Sequence, residues 1–264
     1  MSTVAAFLRR DFLTFASYRL SAATQFLSVF GIIAMVYFLG ETVTGQGTLL
    51  ERYGGSYAAF LLSGLILTDL LTRGLGTLPG VSRQGQQTGT LEPMLAAPLR
   101  LFDLVVASSL FGLFQSLARV ALLTVFGVFV LGFWHDANFA ALLVVLVPGA
   151  VAIFALSILF AAVVVLIKQA DPIIGAYSMM AAILGGMVFP VEVLPIWIRP
   201  LAWLIPISHA MTGTRLALAG EGIGEIAVHA IVLAAIAVVL LPVSIFAFNW
   251  AVQRAKYEGS LVEY

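Results

Sequence analysis

Long apolar stretches recur along this chain and alternate with short polar segments. Each stretch is long enough to cross a hydrocarbon core, which requires about 20 residues of α-helix. The predicted spans cover residues 20–39, 56–78, 101–131, 140–167, 173–190 and 226–250. This pattern predicts an all-α membrane protein with six transmembrane helices in one domain, residues 1–264. Because six is an even number, both termini are expected on the same side of the membrane.

Two segments outside these spans have the spacing of short amphipathic helices. Residues 2–19 mix apolar and charged positions at helical intervals, which predicts a helix lying on the membrane surface. A plain extension of the first span fits the same pattern. In the polar segment 80–100, Leu91, Met94 and Leu95 recur at helical spacing. They predict a short helix across one face of the bundle, which is either a surface that another protein presses on or an ordinary helical loop.

The segment that follows the fifth span, residues 190–220, is apolar but broken by prolines. The four prolines are Pro190, Pro195, Pro200 and Pro206. Proline cannot supply a helical N–H, so this density of prolines excludes one continuous spanning helix. With Trp197 and Trp203 beside them, the segment is predicted to lie at the membrane interface or to dip in and return as short re-entrant helices. An interfacial loop anchored by tryptophan is the alternative.

Composition supports the membrane assignment. The chain is 61% hydrophobic and 10% charged, with a mean hydropathy of +1.07, whereas soluble domains are about a quarter charged. The formal net charge is zero, which gives no indication of nucleic-acid binding. The absence of cysteine excludes disulfides and thiolate metal sites. No small-residue cleavage site follows a signal-like core, so the first span is interpreted as an uncleaved anchor.

The distribution of Lys and Arg predicts the orientation in a plasma (inner) membrane. The side that holds both termini carries Arg9, Arg10, Arg19, Arg83, Arg100, Lys168, Arg254 and Lys256. The opposite side carries Arg52, Arg199 and Arg215. This excess predicts that both termini and the segment 80–100 are cytoplasmic. Residues 190–220 then face outward and are called the outward segment.

Three charged residues lie well inside predicted spans, where a charge costs about 2.5–3.5 kcal/mol or more on insertion scales. Asp69 and Arg73 lie four residues apart on one helical face, and Arg119 lies deep in the third span. We expect an Asp69–Arg119 or Asp69–Arg73–Arg119 network that faces the interior of the bundle. Such a network is either a pathway or switch element or a satisfied structural pair.

Small residues recur at intervals of four in the fifth span, at Ser178, Ala182 and Gly186. Small residues at this spacing let helices approach closely without a hydrophobic driving force. We therefore predict packing against the chain's own bundle or against a second copy, in preference to a substrate site.

Signatures of hydrolytic chemistry are missing from the sequence. The three histidines, His135, His209 and His229, lie in no H-E-x-x-H pattern, and no G-x-S-x-G occurs. A P-loop requires Gly-Lys-Ser/Thr, but neither of the two lysines follows a glycine. We therefore predict a chain that is not an enzyme and has no catalytic residue, metal site or cofactor of its own.

Two motifs resemble those of ABC-2 type transporter permeases. GTLEPMLAAPL resembles the family's GTLE-x-LL-x-x-PL pattern through Gly89, Thr90, Leu91, Glu92, Met94, Leu95 and Pro98. The family's GxxFPxxxLPxWL…LxPLTHxxxxxR signature is matched by Gly186, Phe189, Pro190, Leu194, Pro195, Trp197, Ile198, Pro206, His209 and Arg215. Ser208 replaces the usual threonine. Glutamines replace the charges that often precede GTLE, which puts in doubt an ion pair to a partner there.

The resemblance implies the membrane subunit of an ATP-driven exporter for amphipathic substrates such as drugs, lipids or lipid-linked glycans. Two copies would pair around a central path in the lipid. Each would dock a cytoplasmic ABC ATPase, which binds ATP and Mg²⁺, through a coupling helix at Leu91–Pro98. The outward segment would form re-entrant helices near the exit. An ion-driven secondary transporter is the alternative. Asp69 and the broken segment after the fifth span favour it, but the lack of an inverted repeat between the two halves opposes it.

Overall fold

The computed structural model describes residues 19–42, 57–87, 101–129, 136–167 and 170–257, together with positions 9, 12, 13, 17 and 132. All regular structure in this part of the chain is helical, which confirms the predicted all-α class. The predicted coupling helix at Leu91–Pro98 lies outside the described residues. So do most positions of the predicted surface helix at 2–19.

The helices of the described residues follow the apolar pattern of the sequence. In chain order the elements are α1 (Arg19–Thr42), α2 (Tyr57–Gln87), α3 (Leu101–Phe129), α4 (Phe139–Leu166), α5 (Asp171–Leu184), a 3₁₀ turn (Val191–Val193), α6 (Arg199–Leu204), α7 (Pro206–Leu218) and α8 (Ile223–Tyr257). Helices α1 to α5 and α8 overlap the six predicted spans, with different ends. That all six cross a membrane stays a prediction.

Three stretches among the described residues are long and apolar enough to cross a membrane. They are Tyr57–Gly80 of α2, Phe139–Leu166 of α4 and Ile223–Ala255 of α8. Shorter apolar stretches occupy Leu27–Gly40 of α1, Phe114–Gly127 of α3, and α5. With 14 residues, α5 is about 21 Å long, which is less than the roughly 30 Å thickness of a hydrocarbon core.

The prediction that the fifth span continues to residue 190 is wrong. Helix α5 ends at Leu184, and turns and bends occupy residues 185–189. Gly186 has a φ of +76°, a left-handed conformation that commonly ends helices and that glycine adopts without steric cost. The chain therefore leaves the helical path before the first proline of the outward segment.

This early end also corrects the predicted stripe of small residues. Gly186 lies beyond α5, so it does not share a helical face with Ser178 and Ala182. Those two residues are half-buried, whereas Ala181 and Leu184 are the buried positions of α5. Packing through Ser178, Ala182 and Gly186, against the chain's own bundle or against a second copy, stays a prediction.

Helix α2 lies between two groups of helices. One side packs against α1 and α3 in a cluster that includes Leu62, Ile66 and Leu123. The other side packs against α4, α5 and α7, where Leu71 and Leu75 are almost completely buried. In a membrane, leucines of this kind stabilise the contact through close van der Waals packing and not through removal from water. Helix α2 therefore connects the α1–α3 side of the bundle to the side that carries the outward segment.

Pro79 lies inside α2 and leaves one backbone group without its usual helical partner. Because proline has no N–H, it cannot donate to the carbonyl of Leu75, four residues earlier. That carbonyl instead accepts a 3.2 Å hydrogen bond from the buried Ser157 hydroxyl of α4. The helix thus continues to Gln87, beyond the predicted end of the second span at residue 78, and is bonded to α4 at this depth.

Asn138 connects the start of α4 to the end of α7. Its side-chain oxygen caps α4 by accepting a hydrogen bond from the Ala141 N–H at 3.1 Å. Its backbone N–H donates to the carbonyl of Ala217 at 2.9 Å, and its side-chain amide donates to the carbonyl of Glu221 at 3.3 Å. These bonds hold the last turn of α7 against the bundle.

Candidate functional site

Prolines begin the short helices of the outward segment. Pro206 is the first residue of α7 and Pro200 is the second residue of α6, positions where the missing N–H has no helical acceptor to lose. Pro190 is the residue before the 3₁₀ turn. The predicted break is confirmed, since the longest helix of the outward segment is α7 with 13 residues.

Helix α7 carries Arg215 into the interior, where only 4% of the residue is exposed. Its guanidinium donates to the carbonyls of Gly186, at 2.6 Å, and Met187, at 3.0 Å, just after α5. It also donates to the Phe60 carbonyl at 3.2 Å and the Ser63 hydroxyl at 3.1 Å on α2. The guanidinium carbon lies 3.5 Å from the centre of the Phe60 ring. These five residues form what we call the Arg215 junction.

The chemistry of the junction suits a buried cation. Gly186 and Met187 lie past the last turn of α5, where carbonyl groups have no helical partner and the helix dipole is negative. A buried charge is tolerated only when it is well hydrogen-bonded. The planar guanidinium satisfies this need by donating to several acceptors at once. The junction therefore joins α2, α7 and the turn after α5 through one side chain.

Gly64 provides the room that Arg215 occupies. A Cβ built on Gly64 would lie 2.6 Å from Nη2 of Arg215 and closer still to the Met187 carbonyl oxygen. Any larger residue at this position would displace the guanidinium or the turn after α5. The involvement of Phe60, Ser63 and Gly64 in this site was not predicted from the sequence. The signal for them is the small Ser63–Gly64 pair between two pairs of large apolar residues, Leu61–Leu62 and Leu65–Ile66.

The structure brings together the three charged residues of the predicted spans. Asp69 Oδ2 lies 3.0 Å from Nε of Arg73 and 3.1 Å from Nε of Arg119. The Arg119 contact is an ion pair and not a hydrogen bond, whereas Arg73 also donates a hydrogen bond to the same oxygen. Nη1 of Arg119 donates to the Ser28 hydroxyl at 2.9 Å. The network therefore connects α1, α2 and α3, and its role in transport stays a prediction.

Two histidines meet beside the outward segment. The His209 Nε2 lies 2.9 Å from the Trp203 carbonyl oxygen, which can only accept, so Nε2 carries a proton. In the neutral ring Nδ1 then accepts from the Nδ1–H of His229 at 3.1 Å. They line a cavity of about 310 Å³. The other lining residues are Val191, Glu192, Trp203, Ser208, Thr212, Glu225 and Val228. His229 is a member of this cavity that the sequence analysis did not select.

The remaining predicted site residues lie in different environments. Pro190 and Pro206 are buried and Phe189 is half-buried, whereas Pro195 and Trp197 are exposed. Gly89, Thr90, Leu91, Glu92, Met94, Leu95 and Pro98 lie outside the described residues. Across the described ranges, no three His, Asp or Glu side chains are grouped so as to hold a metal ion. The outward signature therefore divides into a buried part, centred on Arg215 and His209, and an exposed part around Trp197.

Three known proteins are similar in sequence to this chain. Nodulation protein J of Neorhizobium galegae is 28% identical over 201 residues, which is 74% of each chain. Nodulation protein J of Rhizobium leguminosarum bv. viciae is 29% identical over 210 residues, or 76% of this chain and 79% of that one. A protein named probable multidrug ABC transporter permease YbhR, from Escherichia coli (strain K12), is 24% identical over 129 residues. That match covers 49% of this chain and 35% of YbhR.

A family model described as ABC-2 type transporter matches residues 3–219. The matched region contains both sequence motifs and every described helix from α1 to α7. It also contains the Asp69 network and the Arg215 junction. Because the match extends over most of the sequence, this chain belongs to the ABC-2 type transporter family.

Proposed function

We propose that this protein is the transmembrane permease subunit of an ATP-driven exporter that moves an amphipathic substrate such as a drug, a lipid or a lipid-linked glycan. The observation that carries the proposal is the family match over residues 3–219. ABC-2 permeases act with a cytoplasmic ATPase subunit, and this chain has no P-loop sequence. ATP and Mg²⁺ would therefore be bound by that separate chain.

The proposed arrangement has six membrane spans, α1 to α5 and α8, with both termini cytoplasmic. Since α5 is shorter than a hydrocarbon core, the turn after it and the short helices α6 and α7 would complete the crossing region and re-enter the membrane. Trp197 and Trp203 are 77% and 56% exposed. Exposed indole rings suit the membrane–water interface, which supports an interfacial position for this segment.

In the proposed mechanism, the ATPase would press on the coupling helix at Leu91–Pro98, and helices of the permease would rock in response. A second copy of the permease would complete the path. The surface of α5 that is exposed in this chain, including Met179, Met180 and Ile183, is apolar. Such a surface is suited to lipid or to the second copy.

The alternative, a secondary transporter driven by an ion gradient, would use Asp69 as its cation site. Two guanidinium groups contact the Asp69 carboxylate, so the cluster of the three side chains carries a formal charge of +1. A net positive cluster repels a coupling cation by Coulomb's law. This observation favours the ATP-driven reading.

Purification from native membranes tests the proposal. We expect the tagged permease to retain a P-loop ATPase, and the variant Leu95→Asp to lose it, because a charge at an apolar docking helix disrupts packing. Val193→Asp makes the same kind of change at an exposed position of the outward segment and should leave ATPase binding intact. A permease that purifies alone, with no nucleotide-dependent behaviour, would contradict the proposal and favour the secondary transporter.

A further inference from the structure

Helix α2 runs from the outward segment toward the predicted ATPase-docking segment. Its 31 residues make it about 46 Å long, more than the thickness of the hydrocarbon core. Phe60, Ser63 and Gly64 lie in its first turns, at the Arg215 junction. Its last residue, Gln87, immediately precedes the segment that contains the predicted coupling helix. The two ends of one helix thus reach the two parts of the chain that a pump has to coordinate.

We infer that Arg215 is a positioning residue that fastens the outward segment to α2, so that a movement of α2 is carried to the outward side of the protein. The inference rests on the proposed function only for the source of that movement. The fastening itself follows from the contacts of Arg215, which join α7 to α2 and to the turn after α5.

The hydrogen bonds of Arg215 are divided between the parts that they join. Two acceptors, Phe60 and Ser63, lie on α2, and two, Gly186 and Met187, lie in the turn that leads to the outward segment. Three of these bonds are buried and the one to Met187 is partly buried, so water competes little for them. They are also charge-assisted, which makes each about twice as strong as a neutral bond. A relative shift of α2 and the turn would break bonds on one side.

The other contacts of α2 explain how a cytoplasmic force would reach the junction. Asp69 is paired with Arg119 of α3, and the Leu75 carbonyl is bonded to Ser157 of α4. Helical hydrogen bonds make the stretch between these residues and Phe60 rigid along its axis. A movement of the part of α2 that follows Leu75 would therefore be transmitted to the Arg215 junction.

A fluorescence experiment tests the inference in the permease–ATPase complex. The chain contains no cysteine, so Ile196→Cys provides a single attachment site for an environment-sensitive bimane label. Ile196 is 79% exposed in the outward segment. The permease is labelled before the ATPase is added, and the signal is recorded with and without ATP and orthovanadate. We expect a nucleotide-dependent change in the labelled protein that has no further substitution.

Substitutions at the junction should abolish this change and leave ATPase binding and ATP hydrolysis in place. Arg215→Met removes the four donated hydrogen bonds. Gly64→Ala keeps the arginine but places a methyl group where the guanidinium lies. Gly76→Ala is the matched control, because a Cβ on this glycine of the same helix meets nothing within 4 Å. Arg215→Lys keeps the charge but not the planar set of donors, so it should restore only part of the signal.

The outcomes separate this inference from the proposed function. A complex that hydrolyses ATP without any signal change at Ile196 overturns the inference, and so does a full change in both Arg215→Met and Gly64→Ala. If Arg215→Met does not assemble with the ATPase, the fluorescence change in Gly64→Ala is compared with that in Gly76→Ala. Equal changes in these two variants overturn the inference. If no ATPase binds, the proposed function fails and the fastening is tested in the permease alone. Hydrogen exchange across 206–218 should then be faster in Gly64→Ala than in Gly76→Ala, and equal rates overturn the inference.

Discussion

At the scale of single residues, Arg215 shows how this bundle accommodates a charge with backbone groups. Three of the four acceptors described above are carbonyl oxygens, of Phe60, Gly186 and Met187. A carbonyl carries only a partial charge, but several around one planar cation replace much of its hydration. Substitution of other side chains cannot remove these carbonyl groups. The side chains on which the junction depends are therefore the arginine, the Ser63 hydroxyl and the Phe60 ring, together with the glycine that makes room for the guanidinium.

Asp69 and Arg119 solve the same problem with opposite charges, and this pairing gives a residue-scale prediction. The pair is only partly buried, so Asp69→Asn should lower the free energy of unfolding by about 1–3 kcal/mol, between the values for exposed and for fully buried pairs, because Arg119 loses its counter-ion at that contact. Adding Arg119→Gln should restore part of the loss. The measurement is SDS-induced unfolding of the purified permease, followed by the fluorescence of its four tryptophans.

Arg73 supplies the control for this cycle. It contacts the same Asp69 oxygen, but its side chain is 36% exposed, compared with 11% for Arg119. Solvent screening weakens exposed pairs, so Arg73→Gln should change stability less than Arg119→Gln does. Strictly additive losses in the Asp69→Asn/Arg119→Gln double variant would show that the two residues are not coupled.

At the scale of elements, α2 contains a proline that a neighbouring helix compensates. Pro79 frees the Leu75 carbonyl, and Ser157 of α4 donates to it. Ser157→Ala should therefore destabilise the protein by about 0.6–1 kcal/mol, the usual value of a net hydrogen bond in water or in a membrane. In a Pro79→Ala background the Leu75 carbonyl regains a helical partner, so Ser157→Ala should cost much less there. The SDS unfolding assay measures all four proteins.

Ser178 gives a comparison within the same fold. Its hydroxyl also bonds a carbonyl, that of Ile174, but this residue is four positions earlier in the same helix. That carbonyl has its own helical N–H partner, so Ser178→Ala should have little effect on stability. An equal loss from Ser157→Ala with and without Pro79 would contradict the compensation of α2 by α4.

The hydrophobic pattern predicted the elements better than their ends. The apolar character of a span is averaged over about twenty residues, so the six apolar helices could be located from the sequence. The end of α5 at Leu184 depends on the left-handed backbone of Gly186, and the passage of α2 through Pro79 depends on Ser157, 78 positions away. The backbone conformation of one residue, or a hydrogen bond to a residue far away in the sequence, produces no periodic pattern of apolar positions.

The residues of the candidate site were likewise predicted only in part. Asp69, Arg73 and Arg119 were predicted to associate because a charge in a span needs a partner, a rule that requires no knowledge of the fold. The burial of Arg215 was not predicted. Its acceptors are backbone carbonyls of α2 and of the turn after α5, and every residue carries a carbonyl. Only the small Ser63–Gly64 pair distinguishes that place on α2.

At the scale of the whole molecule, α8 differs from the other long helices. Only 22% of its apolar stretch is buried within the chain, whereas 67% of that of α4 is buried. Its exposed side chains include Val238, Val239 and Phe246. In water the exposure of such a surface would be strongly unfavourable, whereas contact with lipid or with a second copy would remove this cost. Helix α8 therefore lies at the edge of the described bundle. A residue near its end is suited to a test of the orientation of the chain in the membrane.

The orientation of the whole chain gives the last prediction. The predicted even number of spans and the excess of Lys and Arg beside the termini predict that the end of α8 is cytoplasmic and that the outward segment lies outside. In intact cells a membrane-impermeant maleimide should label Ile196→Cys but not Gln253→Cys, an exposed residue near the end of α8, which should react only after the membrane is opened. The cysteine-free parent chain, purified in parallel, sets the background. Labelling of Gln253→Cys in intact cells would reverse the orientation or change the span count, and either result would remove the cytoplasmic position that the coupling helix requires.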